Sequence, residues 1–239
     1  SAFGMYETMG SGLVEGMDGS SMAGMFDAMG TDHIQDMGME RSFEAFEAMG
    51  SESFAGMEGG TMAGMFDAMG ADNIDSIGGE ALFDMAEGMS GADFMTMGND
   101  SAFGMFETMG NDTVGGMEGG AMAGMFDAMG ADNIDSIGGE ALFDMAEGMS
   151  GADFMTMGND SAFGMFETMG DDRVMEMDAD AMGGMFSAMD QGDISAMAGD
   201  TSFGAFETMG TEGFMDMGGE NMAGMFDSMG ADNIDSIGG

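Results

Sequence analysis

Cysteine, proline, tryptophan and lysine are absent from the 239 residues, and arginine occurs only as Arg41 and Arg173. Without cysteine there is no disulfide framework and no thiolate metal site, and the redox compartment stays undetermined. Without a counterweight of basic residues, 46 acidic side chains give a formal net charge of −44. Such a chain repels nucleic acid and acidic lipid headgroups and attracts cations. Acidic residues interrupt every apolar run before it reaches the ~20 residues that a membrane-spanning helix needs, so no membrane insertion is expected. One histidine, His33, and no cysteine leave little raw material for catalysis. The carboxylates recur throughout the chain, the opposite of a single site that drives two pKa values apart. The chain is read as a non-enzyme.

What is present is apolar and repetitive. Hydrophobic residues make up 44% of the chain, with 41 methionines and 20 phenylalanines, enough for burial rather than disorder. The sequence repeats with a period of 20, giving twelve units, 1–20, 21–40 and onward to 221–239, as a single array over 1–239. Unit position 9 is methionine every time, from Met9 and Met29 to Met229. Position 14 is always large and apolar (Val14, Ile34, Phe54, Ile74, Phe94), and position 17 is always Met or Ile. Position 6 is aromatic except at Ala86 and Ala146, and position 10 is glycine except at Ser90, Ser150 and Asp190. Residues 62–100 recur unchanged as 122–160, which points to duplication of a three-unit block. The unit lacks the tetratricopeptide, ankyrin, leucine-rich and β-propeller signatures.

Within Ser101–Gly110, apolar residues at positions 2, 5, 6 and 9 follow the i, i+3, i+4, i+7 spacing of one helical face. Asp100 or Ser101 is expected to cap this helix and Gly110 to end it in the left-handed conformation. In Ala131–Gly139, Asp132 offers a cap and Ile134 and Ile137 a short apolar face, which reads as a second helical turn or a strand. Alanine, methionine and glutamate outweigh β-branched residues, so helix is favoured. The expected fold is an all-α solenoid of twelve 20-residue repeats, each with two short helical segments; a β-solenoid is the alternative. Small residues at positions 1, 4 and 8, such as Gly104 and Thr108, are expected to let neighbouring repeats approach closely. Where Leu142 and Phe143 are both large, position 6 shrinks to Ala146, as a core of conserved volume requires. One unit buries too little to offset its backbone entropy, so stability must come from stacking.

The methionines invite a copper(I) or silver(I) reading, because thioethers are soft ligands. Their register favours core filling: only Met39, Met95, Met155, Met175 and Met215 fall outside positions 2, 5, 9 and 17. The pairs Met37/Met39, Met95/Met97, Met155/Met157, Met175/Met177 and Met215/Met217 are the candidates for soft-metal binding or storage. Stacked units would turn the acidic residues into ladders. Glu107, Asp127, Glu147 and Glu167 at position 7, with Asp132 and Asp135, are the candidate ligands for weak, distributed divalent-cation binding, calcium foremost. No cofactor is required by this reading. No high-affinity loop is present, because Ile134 stands where an EF-hand would place its second ligand. Asn99-Asp100-Ser101, Asn111-Asp112-Thr113 and Asn159-Asp160-Ser161 match the glycosylation acceptor pattern.

The sequence begins at Ser1, without an initiator methionine or signal peptide, and is read as processed or excised from a longer chain. It stops one residue short of a twelfth full unit and carries no polar capping unit, so end-to-end continuation into more chain or a neighbouring copy is expected. With two arginines and no proline-rich linker, a packed array would resist many proteases. These features point to a self-associating structural protein of an extracellular or cell-surface filament, sheath or matrix. A rigid ice-binding or adhesive surface built on positions 4 and 8 is a further alternative.

Overall fold

The computed structural model describes residues 2–9 and 16–237, apart from the side chains of Glu7, Met9, Glu212 and Asp216. The expectations for Gly10, Val14 and Gly239 lie outside the described residues. Every regular element among the described residues is helical, and no strand occurs, which excludes the β-solenoid. The helix formers at positions 1 to 9 outweigh the single β-branched column at position 14. The chain divides into two compact units, Ser1–Met117 and Glu118–Gly239.

In the first compact unit, helices of eight to eleven residues alternate with helices of four or five. Gly59–Met69 is followed by Ala71–Asp75, and Asn99–Met109 by Asn111–Val114. The long helix begins at position 19 of the preceding repeat, two or three residues earlier than Asp100 or Ser101 as a cap would place it. Gly98 is the N-cap residue, and Asp67, 31 residues upstream, accepts its amide at 2.9 Å. A distant carboxylate thus satisfies the helix entry that a local side chain was expected to satisfy.

The break between the two helices falls on position 10. Gly110 has φ 78° and ψ 160°, a positive-φ region distinct from the expected left-handed helix and closed to residues with a Cβ. Ser90 solves the same joint differently, with φ −85° and a capping box: its amide reaches the Asp93 carboxylate at 2.8 Å.

The core of this unit consists of the columns expected from the repeat. Met29, Met49, Met69, Met89 and Met109 are all buried, and Ile34, Phe54, Ile74, Phe94 and Val114 are 0% exposed. Aromatic rings pack within and between successive repeats: Tyr6 meets Phe26 at 5.7 Å, and Phe54 lies 5.0 Å from Phe46 of its own repeat and from Phe66 of the next. The close helix approaches skip a repeat. Ala71–Asp75 packs on Asn99–Met109, and a Cβ at Gly104 would sit 2.9 Å from the Ala71 Cβ. Position 4 therefore meets position 11 of the repeat two before it, where the small-residue face was expected to meet the adjacent repeat.

The second compact unit follows the same rules. Ala131–Ile137 packs on Asn159–Met169, with Gly164 against Ala131, and Gly151–Phe154 packs on Ala179–Ala188, with Gly184 against Gly151. Gly130, φ 75°, is the N-cap residue of Ala131–Ile137, and Asp132 lies in the first turn rather than capping it. At position 13 a side chain finishes the preceding helix: Asn133 Nδ2 donates to the Met129 carbonyl at 3.0 Å. Phe166 and Phe186 pack edge to face at 5.8 Å. Gly199–Asp216 and Gly219–Ile237 are each two helices joined at a positive-φ glycine, Gly210 and Gly230.

Candidate functional site

The chemistry available in this chain is that of carboxylates and thioethers, and the fold divides both into engaged and free groups. The carboxylates nearest the repeat joints bind backbone amides. Asp27 accepts from the Glu58 amide at 3.1 Å, Asp67 from Gly98 at 2.9 Å and Asp127 from Gly158 at 2.7 Å, each 31 residues on. Each acceptor sits where a long helix begins, so its negative charge also meets the positive end of the helix. Asp67 further accepts the Ser101 hydroxyl at 3.2 Å. Asp180 accepts the Gly151 amide at 2.8 Å, and Asp171 the Thr201 hydroxyl at 2.6 Å. No buried side-chain nitrogen or oxygen among the described residues lacks a partner.

The shorter acid is what this geometry selects. Position 7 is aspartate at Asp27, Asp67, Asp127 and Asp227, and the first three of these form the interrepeat bonds. The aspartate-glutamate split at position 7 was the sequence signal for this role, and it went unread because the partner lies outside the repeat.

Of the ladder residues, Glu107 belongs to the first compact unit and Asp127, Glu147 and Glu167 to the second. Glu107, Glu147 and Glu167 are exposed, as are Asp132 and Asp135 at the first and second turns of Ala131–Ile137. Asp127 binds at the start of Asn159–Met169, whose far end carries Glu167. Among the described residues, no three acidic or histidine side chains converge into a set able to hold a metal ion.

A shallow pocket of about 590 Å³ opens in the first compact unit beside Met39, Asp67, Asp72, Asp100 and Ser101. It brings three carboxylates and one thioether to a common rim but supplies no nucleophile beyond a serine already bonded to Asp67.

The methionine pairs split. Met37, Met97, Met157, Met177 and Met217 are buried, whereas Met39, Met95, Met155 and Met215 are exposed and Met175 is half-buried. Four of the five pairs thus have one exposed methionine. The position-8 threonines bond to their own helices: Thr108 donates to the Gly104 carbonyl and Thr168 to that of Gly164, both at 2.8 Å. His33 is exposed on Thr31–Gln35, with its ring 4.9 Å from that of Phe3.

Among the described residues, two ionisable groups are shifted. Asp18 is held down at about 2 by hydrogen bonds from Ser21 and Ser20, where it caps Gly19–Met29. Burial pushes the Tyr6 phenol up, against the opposing charge of Arg41, whose guanidinium lies 4.9 Å over the ring. No helix among the described residues is long and apolar enough to cross a membrane. Against known proteins the chain stands apart: no family model, no curated protein and no solved structure matches it.

Proposed function

We propose that the chain is a non-catalytic structural protein, a solenoid of twelve helical repeats that associates with further copies of itself into an extracellular or cell-surface scaffold. The observation that carries this reading is that the repeats cover one another's core columns, and that the same columns are exposed in Gly219–Ile237. Position 6 is at most 8% exposed from Tyr6 to Phe186, and position 14 is 0% exposed from Ile34 to Ile194. In the last repeat Phe226 is 37%, Ile234 39% and Ile237 41% exposed. Elsewhere the residues of positions 6 and 14 are covered by other repeats of the same sequence, so a repeat of this kind, in further chain or in another copy, fits Phe226 and Ile234. Exposed apolar groups gathered in this way mark an interaction surface.

The acidic surface sets the conditions. Copies carrying a net charge of −44 repel one another unless cations screen or neutralise them. Calcium acts in this reading through many weak carboxylate contacts, not through one tight site.

Sedimentation velocity at low salt, high salt and millimolar calcium tests the proposal, on the wild type and on the Phe226→Asp/Ile234→Asp double variant. The wild type is expected to associate with rising concentration in calcium or high salt. The variant is expected to stay monomeric with an unchanged helical circular dichroism spectrum. A wild type that remains monomeric under every condition overturns the reading.

A further inference from the structure

Met5, in the position-5 column, is 54% exposed near the start of the chain, but four other exposed methionines lie outside the core columns and are not explained by packing. Met95, Met155 and Met215 stand at position 15, where they are 38%, 50% and 77% exposed, and Met39 at position 19 is 53% exposed. Position 15 carries Gln35, Asp75, Asp135 and Ser195 in sister repeats, so the fold there asks for no apolar side chain. Met95 and Met155 follow the last residues of Gly91–Phe94 and Gly151–Phe154 as C-cap residues with ordinary helical backbone angles. In contrast, Met65, Met69, Met125 and Met129 are 0% exposed in the core. The same residue type thus occurs in two populations, one shielded and structural, the other open to solvent at substitutable sites.

We propose that Met39, Met95, Met155 and Met215 form an oxidant-consuming surface that reacts with hydroperoxides while the methionine core stays reduced. The thioether sulfur attacks the distal peroxide oxygen. The O–O bond breaks, an S–O bond forms, and a proton passes to the departing oxygen to release water or an alcohol. Sulfur loses two electrons and the peroxide gains them. The product sulfoxide is polar. At position 15 it resembles the glutamine and aspartate that sister repeats already carry, so oxidation leaves the fold in place. In the core the same change would place a polar, chiral group among phenylalanines and break the packing. Met175, at position 15 too, is set apart: it is half-buried, and the Thr208 hydroxyl lies 3.9 Å from its sulfur.

The test is a hydrogen peroxide time course on the full chain, mapped by mass spectrometry after cleavage at acidic residues, with thermal melting followed on the same samples. The four sulfurs are expected to oxidise before any described position-9 methionine, with no loss of the melting transition at that stage. The Met39→Gln/Met95→Gln/Met155→Gln/Met215→Gln variant should keep the melting transition and lose four oxygen atoms from the early uptake. Oxidation of Met29, Met69 or Met129 in step with the four, or melting lost once the four alone are oxidised, overturns the proposal. So does a variant that no longer folds, because it denies that these sites tolerate a polar side chain.

Discussion

Gly24, Gly104 and Gly110 belong to the same repeat pattern, yet an added methyl group meets different surroundings at each. Gly24 lies inside Gly19–Met29 with nothing within 4 Å of a built Cβ, so Gly24→Ala is expected to stabilise the fold by about 0.5–1 kcal/mol through helix propensity. At Gly104 the methyl would press on the Ala71 Cβ at 2.9 Å and Cα at 3.1 Å, and Gly104→Ala should destabilise by about 1–3 kcal/mol. Gly110 has space but a positive φ, and Gly110→Ala should also cost about 1–3 kcal/mol. Chemical denaturation of the three variants checks the order, and a Gly104→Ala protein as stable as Gly24→Ala would contradict the close approach. Asp18 supplies a pH test. Its folded pKa of about 2 lies below the ordinary 3.8, so its cap stabilises fully above the ordinary value and fades as pH falls through about 2. The gap in melting temperature between wild type and Asp18→Ala should be constant at neutral pH and close over that acid window. Measuring the difference removes the common effect of neutralising the other carboxylates.

The helices themselves were legible in the sequence, and their partners were not. Met69, Met109 and Ile74 could be placed in the core because their columns never admit a polar residue, and burial at 0–5% follows. The start of Asn99–Met109 was misplaced because Asp67, which satisfies its first amide, stands 31 residues away and leaves no mark on the local pattern. Stacking order was hidden for a related reason. A period of 20 says that repeats are equivalent but not whether each close contact is with the next repeat or the one after. Gly104 against Ala71 answers that within the first compact unit. The candidate site was legible only in part: the register marks Met39, Met95, Met155 and Met215 as lying outside the core columns, while nothing in the repeat singles out Asp67. Asp67→Ala should therefore destabilise by about 0.5–2 kcal/mol, the usual worth of a helix cap. Hydrogen exchange at the Gly98 amide should accelerate more than at Gly110, whose amide bonds within its own helix to Phe106. Equal acceleration at both would mean that Asp67 acts on global stability alone.

For the whole molecule, charge opposes what packing favours. Forty-six acidic residues have only two arginines to offset them, so folding concentrates like charge. At 0.1 M salt the Debye length is about 10 Å, comparable to the distance between packed helices, and screening should matter within the fold as well as between copies. The melting temperature is expected to rise steadily with sodium chloride, and a flat response would show that the carboxylates are already neutralised. The same repulsion is what self-association must overcome, and the apolar side chains of Phe226, Ile234 and Ile237 are what it would gain. Negative-stain electron microscopy of the chain with and without millimolar calcium tests that balance most directly. Filaments or sheets appearing with calcium and absent from the Phe226→Asp/Ile234→Asp variant are the predicted result; dispersed single particles under both conditions would contradict a scaffold built by self-association.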